Sequence, residues 1–567
     1  MNIEKVLETL NIKHNVKSFI ESNETKLVKK TLYYKHIPSA ILFLNHLNIN
    51  GVELIDDGFK VKGTMIDLSR NAVFKVSYFK SVIRKKALLG FNEIWLYLED
   101  VYDLKDYSKF GYLRGKYKLE EIKELDLYAK SLGVMLVPCI QTLGHMSQFL
   151  RWSSSSEFKD QHDVLLLSEE TNKLIQAMLE FSKDAFSTNK IHIGMDETFG
   201  FSFGQHYKKH GYKDPETLFL SHLNNVYNMA KEKGFDEICM WSDMFFRHRS
   251  KVEYYYDTTI EFEDTFIEKL PKDITLVYWD YYNHKENIYD LMIKNHQKMN
   301  RKVIMASGTW IWTRLAYDRE KTLNTATHAI NASRKNNVEE IIFTQWNDDG
   351  AYCDYETSYL GLFDVTNVMV DQKLDINYLT QIGANNHEVL SEVSKISHLG
   401  YDPVMLLWDD LLLGVYLNNL VGFNDKLLIP LIKNTEIFAD KIEEHDYAHY
   451  INLANLLKSK LQLRQALLEG YFKLKDFSKA KNLIEPFKKY LNRTVLSFET
   501  LWLERNKVFG LEVIQNRLYS QLRRIDHYEH IIDNYKKGDF IEYLEVEVSE
   551  EPYLSVKYLD IAFSSKS

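Results

Sequence analysis

The sequence has little of what several protein classes depend on. It contains 3 cysteines, 8 prolines and 23 glycines in 567 residues. The cysteines lie far apart and form no CxxC pair, which argues against a disulfide framework and against a zinc knuckle. No uncharged apolar run reaches the roughly 18 residues of a membrane-spanning helix, so we expect no membrane partner. No glycine-rich GxGxxG or GKS/T loop supports a nucleotide-binding sheet.

Basic residues are also in the minority. The 71 lysines and arginines face 80 acidic residues, for a net charge of −9, and we therefore expect no nucleic-acid partner. Hydrophobic residues make up 45% and charged residues 27% of the chain, the ordinary proportions of a globular protein with a sizeable core. At roughly 100–200 residues per domain, the length predicts two to four domains. No signal-peptide pattern opens the chain, and we expect a reducing, cytoplasmic setting.

Eight short apolar runs predict the fold. They are rich in Val, Ile, Leu and Met without polar alternation, as is typical of strands buried on both faces of a parallel sheet. The runs are Thr64–Leu68, Glu93–Leu98, Gly133–Pro138, Ile191–Met195, Glu237–Trp241, Ile274–Trp279, Lys302–Ala306 and Glu340–Trp346. Helical patterns such as Leu119–Leu132 and Pro215–Lys233 lie between them. Eight strands alternating with helices over about 280 residues predict an α/β fold, a (β/α)8 TIM barrel. An open doubly wound sheet is the alternative.

The flanking regions have a different character. We predict a small N-terminal α/β domain over residues 1–60, the catalytic barrel over 61–375 and a mostly helical C-terminal domain over 376–567. The helical patterns are Leu406–Leu420, Tyr447–Gly470, Phe477–Tyr490 and Leu511–Tyr535, with a short strand pair predicted at Tyr543–Val548 and Pro552–Tyr558. We interpret the helical region as a domain-packing or homodimer-forming element rather than as a second catalytic unit.

Polar and aromatic residues follow the predicted strands at their carboxyl ends, the face of a barrel that carries the active site. They include Glu99-Asp100, His145, Asp196-Glu197, Trp241, Trp279 with Tyr281 and Tyr282, Trp310, and Trp346 with Asp348. Aromatic rings beside carboxylates suit a sugar, whose C–H faces stack on rings while its hydroxyls need acceptors. A single tryptophan at a strand end is more often a packing residue, but several beside acidic residues favour a binding site.

Glycoside hydrolysis usually needs two carboxyl groups, one donating a proton to the leaving oxygen and one acting at the anomeric carbon. Asp196 and Glu197 are adjacent and are therefore an awkward pair for opposite faces of a sugar ring. In another mechanism the substrate's own 2-acetamido oxygen is the nucleophile, and the protein supplies one acid/base and one carboxylate beside the acetamido N–H. The spacing permits that division of roles without being diagnostic of it.

These residues resemble those of the family-20 glycoside hydrolases, the β-N-acetylhexosaminidases. The resemblance runs from about Lys62 to Gly350, continues more weakly into the helical region, and is strongest to a bacterial, intracellular branch with a helical C-terminal domain. It rests on GTMIDLSRNAVFKV, NEIWLYLEDVYDL, FGYLRGKY, VPCIQTLGHMSQFLRW, KIHIGMDE, MWSDMFF, VYWDYY, TQWNDDGAY and LWLERNKVFGLEVIQNRLYSQLRRI.

The resemblance implies a role for each matching residue. Asp196 would orient the acetamido group, and Glu197 would be the general acid and then the general base. Asp100 and His145 match a relay behind the glutamate, in which a hydrogen-bonded histidine helps to hold that acid protonated. The matches to the family's sugar-binding positions are Trp241, Trp279 and Trp346 for the aromatic walls, Asp348 for the sugar hydroxyls, and Tyr281 or Tyr282 for the acetamido oxygen.

The sequence departs from the family pattern at a few positions. Many members carry Arg-Gly at the start of strand one, where the arginine binds the sugar 3- and 4-hydroxyls, but this chain has Lys62-Gly63. Arg70 or Arg114 could replace that arginine, and the choice between GlcNAc and GalNAc depends on it. Gln141 stands where an acidic residue is common, and Asn347 where glycine is usual.

The leading hypothesis is a retaining exo-β-N-acetylhexosaminidase that needs no cofactor and acts on oligosaccharides with a terminal N-acetylhexosamine. Two alternatives belong to other classes. One is a non-catalytic glycan-binding protein that keeps the pocket. The other is a metal-dependent barrel hydrolase with ligands among His145, His192, Asp196 and Glu197, a set that lacks HExxH-like spacing.

Overall fold

A computed structural model describes residues 2–251, 254–421 and 425–545. The chain begins with α1 (Ile3–Thr9), followed by a three-stranded sheet of β1 (Ser18–Glu21), β2 (Lys26–Val28) and β3 (Thr31–Tyr34) and by α2 (Ile37–Asn50). In this sheet β3 is central, parallel to β1 and antiparallel to β2. The ring of His36 caps α2 by accepting the backbone N–H of Ser39 at 3.0 Å.

Eight parallel strands then close into a barrel, which confirms the predicted (β/α)8 fold. They are β4 (Val61–Asp67), β5 (Glu93–Tyr97), β6 (Met135–Cys139), β7 (Lys190–His192), β8 (Glu237–Trp241), β9 (Ile274–Trp279), β10 (Val303–Gly308) and β11 (Glu340–Gln345). Each strand pairs with the next along the chain, and β11 pairs with β4 to close the ring. The barrel strands are buried almost throughout, because helices cover the outer face of such a sheet and side chains fill the interior.

Helices alternate with the barrel strands, and short ones lie in the loops. They are α3 (Val76–Leu88), α4 (Leu119–Ser131), α5 (Ser147–Leu150), α6 (Glu169–Ala185), α7 (Gln205–His210), α8 (Pro215–Glu232), α9 (Asp243–Arg247), α10 (Asp264–Ile267), α11 (Glu286–Gln297), α12 (Arg319–Lys335), α13 (Ser358–Val370) and α14 (Tyr378–Gln381). Asp214 caps α8 by accepting the Thr217 N–H at 2.8 Å. Proline suits the first position of such a helix because its fixed φ is helical and it needs no partner for an N–H.

The strand that carries the acidic pair is shorter than predicted. The apolar run predicts a strand over Ile191–Met195, whereas β7 ends at His192. The chain turns immediately afterwards, with φ values of 73° at Gly194 and 75° at Met195. Left-handed backbone cannot continue a strand, so the acidic pair lies on the turn beyond the barrel wall.

The remaining helices are α15 (His387–Ser394), α16 (Pro403–Trp408), α17 (Val415–Val421), α18 (Asp425–Glu443), α19 (Ala448–Glu469), α20 (Ser478–Arg505) and α21 (Leu511–Asp533). A helical C-terminal region is therefore confirmed, but the predicted helix Leu406–Leu420 is wrong. Asp410 Oδ1 accepts the Leu412 and Leu413 N–H groups, at 3.0 and 2.8 Å, and these contacts break the helix into two.

One further predicted helix is present but longer than expected, and a predicted strand pair lies largely outside the described residues. The helix predicted over Phe477–Tyr490 extends to Arg505, because an apolar face continues past Pro486. The predicted strand Tyr543–Val548 begins in a single 3₁₀ turn, Glu542–Leu544. Its residues 546–548, and the whole of Pro552–Tyr558, lie outside the described residues.

The chain divides into two compact units. The first comprises residues 1–309, 320–346 and 362–383, and the second comprises residues 310–319, 347–361 and 384–567. The first unit therefore holds the barrel and the N-terminal sheet, while the loops after β10 and β11 are grouped with the C-terminal helices. No helix among the described residues is long and apolar enough to cross a membrane.

The three cysteines are free thiols. Cys139 ends β6 and Cys239 lies inside β8, and both side chains are buried. Burial raises the pKa of each thiol because it disfavours the thiolate. The pKa of Cys353 is raised for the same reason.

Candidate active site

The acidic pair lies on a turn at the carboxyl end of the barrel. His145 follows β6 and Glu197 follows β7, so parallel neighbouring strands bring these residues together. Their φ values are 56° and 47°, and Glu99 after β5 has a φ of 38°. Left-handed backbone in residues other than glycine costs of order 1–3 kcal/mol each and clusters at functional sites. Three such residues at one rim mark it as the candidate site.

One histidine nitrogen contacts both carboxylates. His145 Nε2 lies 3.2 Å from Asp196 Oδ2 and 3.8 Å from Glu197 Oε2. The Asp196 side chain is 9% exposed, whereas that of Glu197 is 34% exposed. The two adjacent acids therefore differ in environment, with Asp196 enclosed by protein and Glu197 accessible to a ligand.

Gln141 holds Asp196 from the other side. Its Nε2 donates to Asp196 Oδ1 at 2.8 Å and to the Tyr97 hydroxyl at 2.9 Å. Its Oε1 accepts the Met195 N–H at 3.2 Å. A Cβ atom on Gly194 would lie 2.1 Å from that Oε1, so only glycine lets the glutamine approach this closely. The Gln141 amide thus fixes the position of the Asp196 carboxylate.

The histidine and the aspartate form an ion pair. Burial alone lowers the pKa of His145, but the adjacent Asp196 carboxylate outweighs burial and raises it to about 9. Burial alone raises the pKa of Asp196, but His145 and the Gln141 amide outweigh burial and lower it. At neutral pH Asp196 is therefore an anion beside a cationic imidazole.

Asp243 is a site residue that we did not predict. It opens α9 after β8, is buried, and its Oδ2 accepts the Glu197 N–H at 3.1 Å. Burial raises its pKa well above the usual range, and the Asp196 carboxylate adds to that effect. Among the described residues, its Oδ1 has no hydrogen-bond partner. Its position after a strand-ending tryptophan was the only signal in the sequence.

Aromatic rings surround the pair. Trp346 lies 4.8 Å from Tyr97 and 6.2 Å from Trp241, centroid to centroid. On the other side, Trp279 lies 5.2 Å from the ring of Tyr255. The Tyr255 hydroxyl is 3.5 Å from Glu197 Oε1. Tyr255 was not predicted, because it lies in the loop between α9 and α10, where no periodic pattern places a side chain.

The structure distinguishes the two candidate tyrosines. Tyr281 is buried and stacks on Trp279 at 5.5 Å with an interplanar angle of 14°. Tyr282 is 50% exposed, and the Lys321 ammonium lies over its ring at 5.8 Å. Tyr281 is therefore part of the aromatic wall, and Tyr282 lies at its rim.

Asp100 does not contact His145, contrary to the predicted relay. Asp100 Oδ1 accepts from Arg114 Nε at 3.2 Å, and its Oδ2 has no partner among the described residues. The left-handed turn at Glu99 directs the two acids differently. Glu99 is the acid whose charge helps to raise the pKa of His145, after the larger effects of burial and of Asp196.

The structure distinguishes Lys62, Arg114 and Arg70 as candidates to bind the sugar hydroxyls. Lys62 lies near the amino end of β4, fully buried, where its ammonium donates to the Leu89 carbonyl at 2.9 Å. Arg114 is engaged by Asp100. The Arg70 guanidinium lies 5.1 Å from the Trp346 ring centroid, and Arg70 Nη1 lies 3.8 Å from Glu99 Oε1. Of the candidates, Arg70 is the one placed beside the acidic pair's aromatic wall.

Two predicted site residues belong to the second unit. There the ring of Trp310 stacks on Trp312, 3.8 Å apart with an interplanar angle of 21°. Asp348 is half-buried in that unit. In the alternative metal set, His192 Nδ1 accepts the Gly194 N–H at 3.1 Å. Within the described ranges, no group of three or more His, Cys, Asp or Glu side chains is arranged to hold a metal ion.

The chain is similar to known proteins over most of its length. Residues 59–360 match the family model described as Glycosyl hydrolase family 20, catalytic domain, and residues 384–560 match that described as Glycoside Hydrolase 20C C-terminal domain. The chain is similar to Hexosaminidase D of Bos taurus, with 21% identity over 274 residues that cover 47% of this chain and 74% of the relative. Hexosaminidase D of Homo sapiens is 24% identical over 199 residues, 33% of this chain and 40% of the relative.

The chain is also similar to two solved structures. One is a β-N-acetylhexosaminidase from Bacteroides fragilis, with 17% identity, a TM-score of 0.47, and coverage of 63% of this chain and 79% of that chain. The other is a chitobiase from Flavobacterium johnsoniae, with 16% identity, a TM-score of 0.48, and coverage of 85% of this chain and 89% of that chain.

Proposed function

The chain belongs to glycoside hydrolase family 20, and on that premise we propose that it is a retaining exo-β-N-acetylhexosaminidase that uses the substrate's acetamido group as nucleophile. The match over residues 59–360 makes it a glycoside hydrolase. The substrate class in this proposal is an oligosaccharide with a terminal, β-linked GlcNAc or GalNAc.

One observation carries the mechanism. Asp196 and Glu197 both contact the same imidazole nitrogen, at 3.2 and 3.8 Å. This arrangement supports a mechanism in which both carboxylates act on the same side of the sugar, whereas a protein nucleophile and its acid would flank the sugar. The missing nucleophile is then supplied by the substrate.

In the first step Glu197 gives its proton to the glycosidic oxygen. The bond from that oxygen to the anomeric carbon breaks, and the acetamido oxygen forms a new bond to the carbon, giving an oxazolinium ion. Asp196, an anion at neutral pH, accepts the acetamido N–H and stabilises the positive charge that develops there. In the second step the Glu197 carboxylate takes a proton from water, whose oxygen attacks the anomeric carbon and restores the acetamido group with retention.

The surrounding residues complete the proposal. Trp241, Trp279 and Trp346 would enclose the acetamido methyl and the sugar ring, whose C–H faces stack on aromatic rings. The Tyr281 hydroxyl would donate to the acetamido oxygen, and Arg70 would bind sugar hydroxyls in place of the family's strand-one arginine. Trp310 and Asp348 remain predicted sugar contacts.

The test compares release of p-nitrophenol from β-N-acetylglucosaminide, β-N-acetylgalactosaminide and plain β-glucoside at neutral pH with EDTA. We expect hydrolysis of the two N-acetylated substrates alone, with retained configuration in the first product detected by proton NMR. Preference for the plain glucoside would mean a protein nucleophile, and loss of activity in EDTA would mean a metal-dependent hydrolase. Wild-type protein that binds the sugars without cleaving them would be a glycan-binding protein.

A further inference from the structure

The loop after β7 places exposed aromatic rings beside the acidic pair. Four such side chains occur between β7 and α8, namely Phe199, Phe203, Tyr207 and Tyr212. Phe199 is 44% exposed, and its backbone N–H donates to the Glu197 carbonyl at 2.7 Å. This contact holds the backbone of Phe199 in a tight turn directly after Glu197. Several exposed aromatic side chains on one segment are typical of a surface that a ligand covers, whereas a single one would not be.

A continuous row of side chains joins this ring to the aromatic wall. The Arg247 guanidinium lies 4.3 Å from the Phe199 ring centroid and 5.5 Å from that of Tyr255. Tyr255 in turn lies 5.2 Å from Trp279. The row therefore runs from the buried wall at Trp279, through the half-buried Tyr255 and Arg247, to the exposed Phe199.

Glu197 faces this row with one oxygen. Its Oε2 is directed at His145, while its Oε1 lies 3.5 Å from the Tyr255 hydroxyl. An acid that protonates a glycosidic oxygen lies against the bond between two sugars. In the proposed function the terminal sugar lies on the enclosed side near Trp241, and the second sugar would then lie on the side that opens to solvent. That side carries Tyr255, Arg247 and Phe199.

We infer that Phe199, Arg247 and Tyr255 form a subsite for the leaving sugar, with a neutral pyranose ring stacked on Phe199. This inference rests on the proposed hydrolase function and adds the second sugar of the substrate to it. The phenyl ring matches the C–H face of a pyranose, and the guanidinium and the phenol offer donors to its hydroxyls.

The experiment compares two substrates of the same terminal sugar. One is the β-1,4-linked disaccharide of GlcNAc, and the other is methyl β-N-acetylglucosaminide, whose leaving group has no ring to stack. For Phe199→Ala we expect the ratio of the two kcat/KM values, disaccharide over methyl glycoside, to fall about tenfold, with most of the change in KM. Phe199→Trp should restore the ratio, because an indole also stacks on a sugar.

The matched control is Phe203→Ala, a ring on the same loop that is 54% exposed against 44% for Phe199. This variant should leave the ratio within about twofold of wild type. Phe199→Ala could instead lower kcat/KM equally on both substrates while its thermal melt stays normal. That result would show that the ring only supports Glu197, and it would overturn the subsite. An unchanged ratio would overturn it as well. Failure of wild-type protein to cleave either substrate would contradict the hydrolase proposal itself, so the two failures are distinguishable.

Discussion

At the amino end of the barrel, Lys190 Nζ lies 3.1 Å from Glu93 Oε2 and 2.8 Å from Glu340 Oε2, with each of these side chains 3% exposed. Glu237 lies 3.5 Å from the same ammonium and pairs with Lys302 at 2.6 Å. At the carboxyl end, the buried Asp196 lies beside the His145 imidazole. The buried Asp243 accepts the Glu197 N–H, and its Oδ1 has no partner among the described residues. The same strands thus carry an ionic network at one end, in which each of three glutamates has a lysine partner. At the other end they carry an acidic cluster in which one carboxylate oxygen has no partner among the described residues.

The difference separates stability from function within a single barrel. At the amino end, the lysine and glutamate side chains can be buried because each charge has a partner of opposite sign. At the carboxyl end, like charges and left-handed residues raise the free energy of the folded state, and a ligand that supplies donors relieves part of that cost. Substitutions at the two ends should therefore change different measurements.

The largest effect is expected at Glu197. Glu197→Gln removes the proton donor but keeps the shape, and general acid–base catalysis contributes about 10²–10⁴-fold. We expect kcat on p-nitrophenyl β-N-acetylglucosaminide to fall by about 10²–10⁴-fold. The thermal midpoint should stay close to that of wild type, because the Glu197 side chain is partly exposed. Turnover within tenfold of wild type would remove the acid/base role from Glu197.

Asp196→Asn should also reduce kcat, by about 10²–10³-fold, the usual effect of removing one electrostatic contact to the transition state. The amide cannot offset the oxazolinium charge, and it no longer holds His145 as a cation. The measurement is steady-state kinetics on the same substrate. Unchanged kinetics would contradict the acetamido-orienting role.

At the opposite end, Lys190→Met should change stability and not chemistry. Breaking a buried pair by removing one partner costs about 3–5 kcal/mol, since it leaves buried carboxylates unpaired. Urea unfolding followed by tryptophan fluorescence should show that loss, with kcat per folded molecule unchanged. Lys302→Met is the control, because its partly exposed ammonium should matter less. Equal losses of stability in the two variants would refute the comparison.

The pH dependence of stability sharpens the comparison further. The folded pKa of His145 is raised from 6.5 to about 9, so the native state binds more protons than the unfolded state between these values. The stabilisation is complete below pH 6.5 and is lost as pH rises through 9, with a slope approaching about 1.4 kcal/mol per pH unit. Lys62, whose pKa burial lowers to about 7, contributes a slope of opposite sign over the same range. The measurement is therefore the difference in slope between wild type and His145→Gln in urea melts run from about pH 6 to 10, and equal slopes in the two proteins would contradict the His145 assignment.

The smallest effect is expected at Asp243. Burial raises the pKa of Asp243 well above its usual range, so an uncharged side chain of the same shape should fit there. Asp243→Asn keeps an oxygen that can accept the Glu197 N–H and should change kcat by less than about threefold. Asp243→Ala leaves that buried donor unpaired, which costs about 1–3 kcal/mol, and should lower kcat more. Equal kcat values in the two variants would show that the contact does not position Glu197.

The barrel could be predicted because strands buried on both faces appear in the sequence as unbroken apolar runs. The apolar runs do not show at which residue a strand ends. Ile193 and Met195 continue the apolar run, but Gly194 and Met195 adopt left-handed backbone, and β7 ends at His192. In the same way, Asp409 and Asp410 interrupt an apolar helical pattern by binding backbone N–H groups.

The sequence could predict at which strand ends the candidate site lies. It could not predict which side chains contact one another there. Topology brings His145 to Asp196, since β6 and β7 are neighbours. Which of Glu99 and Asp100 acts on His145 depends on the left-handed turn at Glu99. Two adjacent acids in a sequence do not show that turn. Tyr255 reaches Glu197 from a loop with no periodicity, so only the structure could find it.

The burial of the cysteines has a practical consequence. Cys139 and Cys239 are enclosed in the barrel, and the pKa values of all three thiols are raised. Maleimides react with thiolates, so the native chain should remain unlabelled under mild conditions. A single cysteine introduced at the exposed Tyr212 would then be the only reactive handle, and a fluorophore there could report occupancy of the loop beside Glu197 without any native thiol being removed.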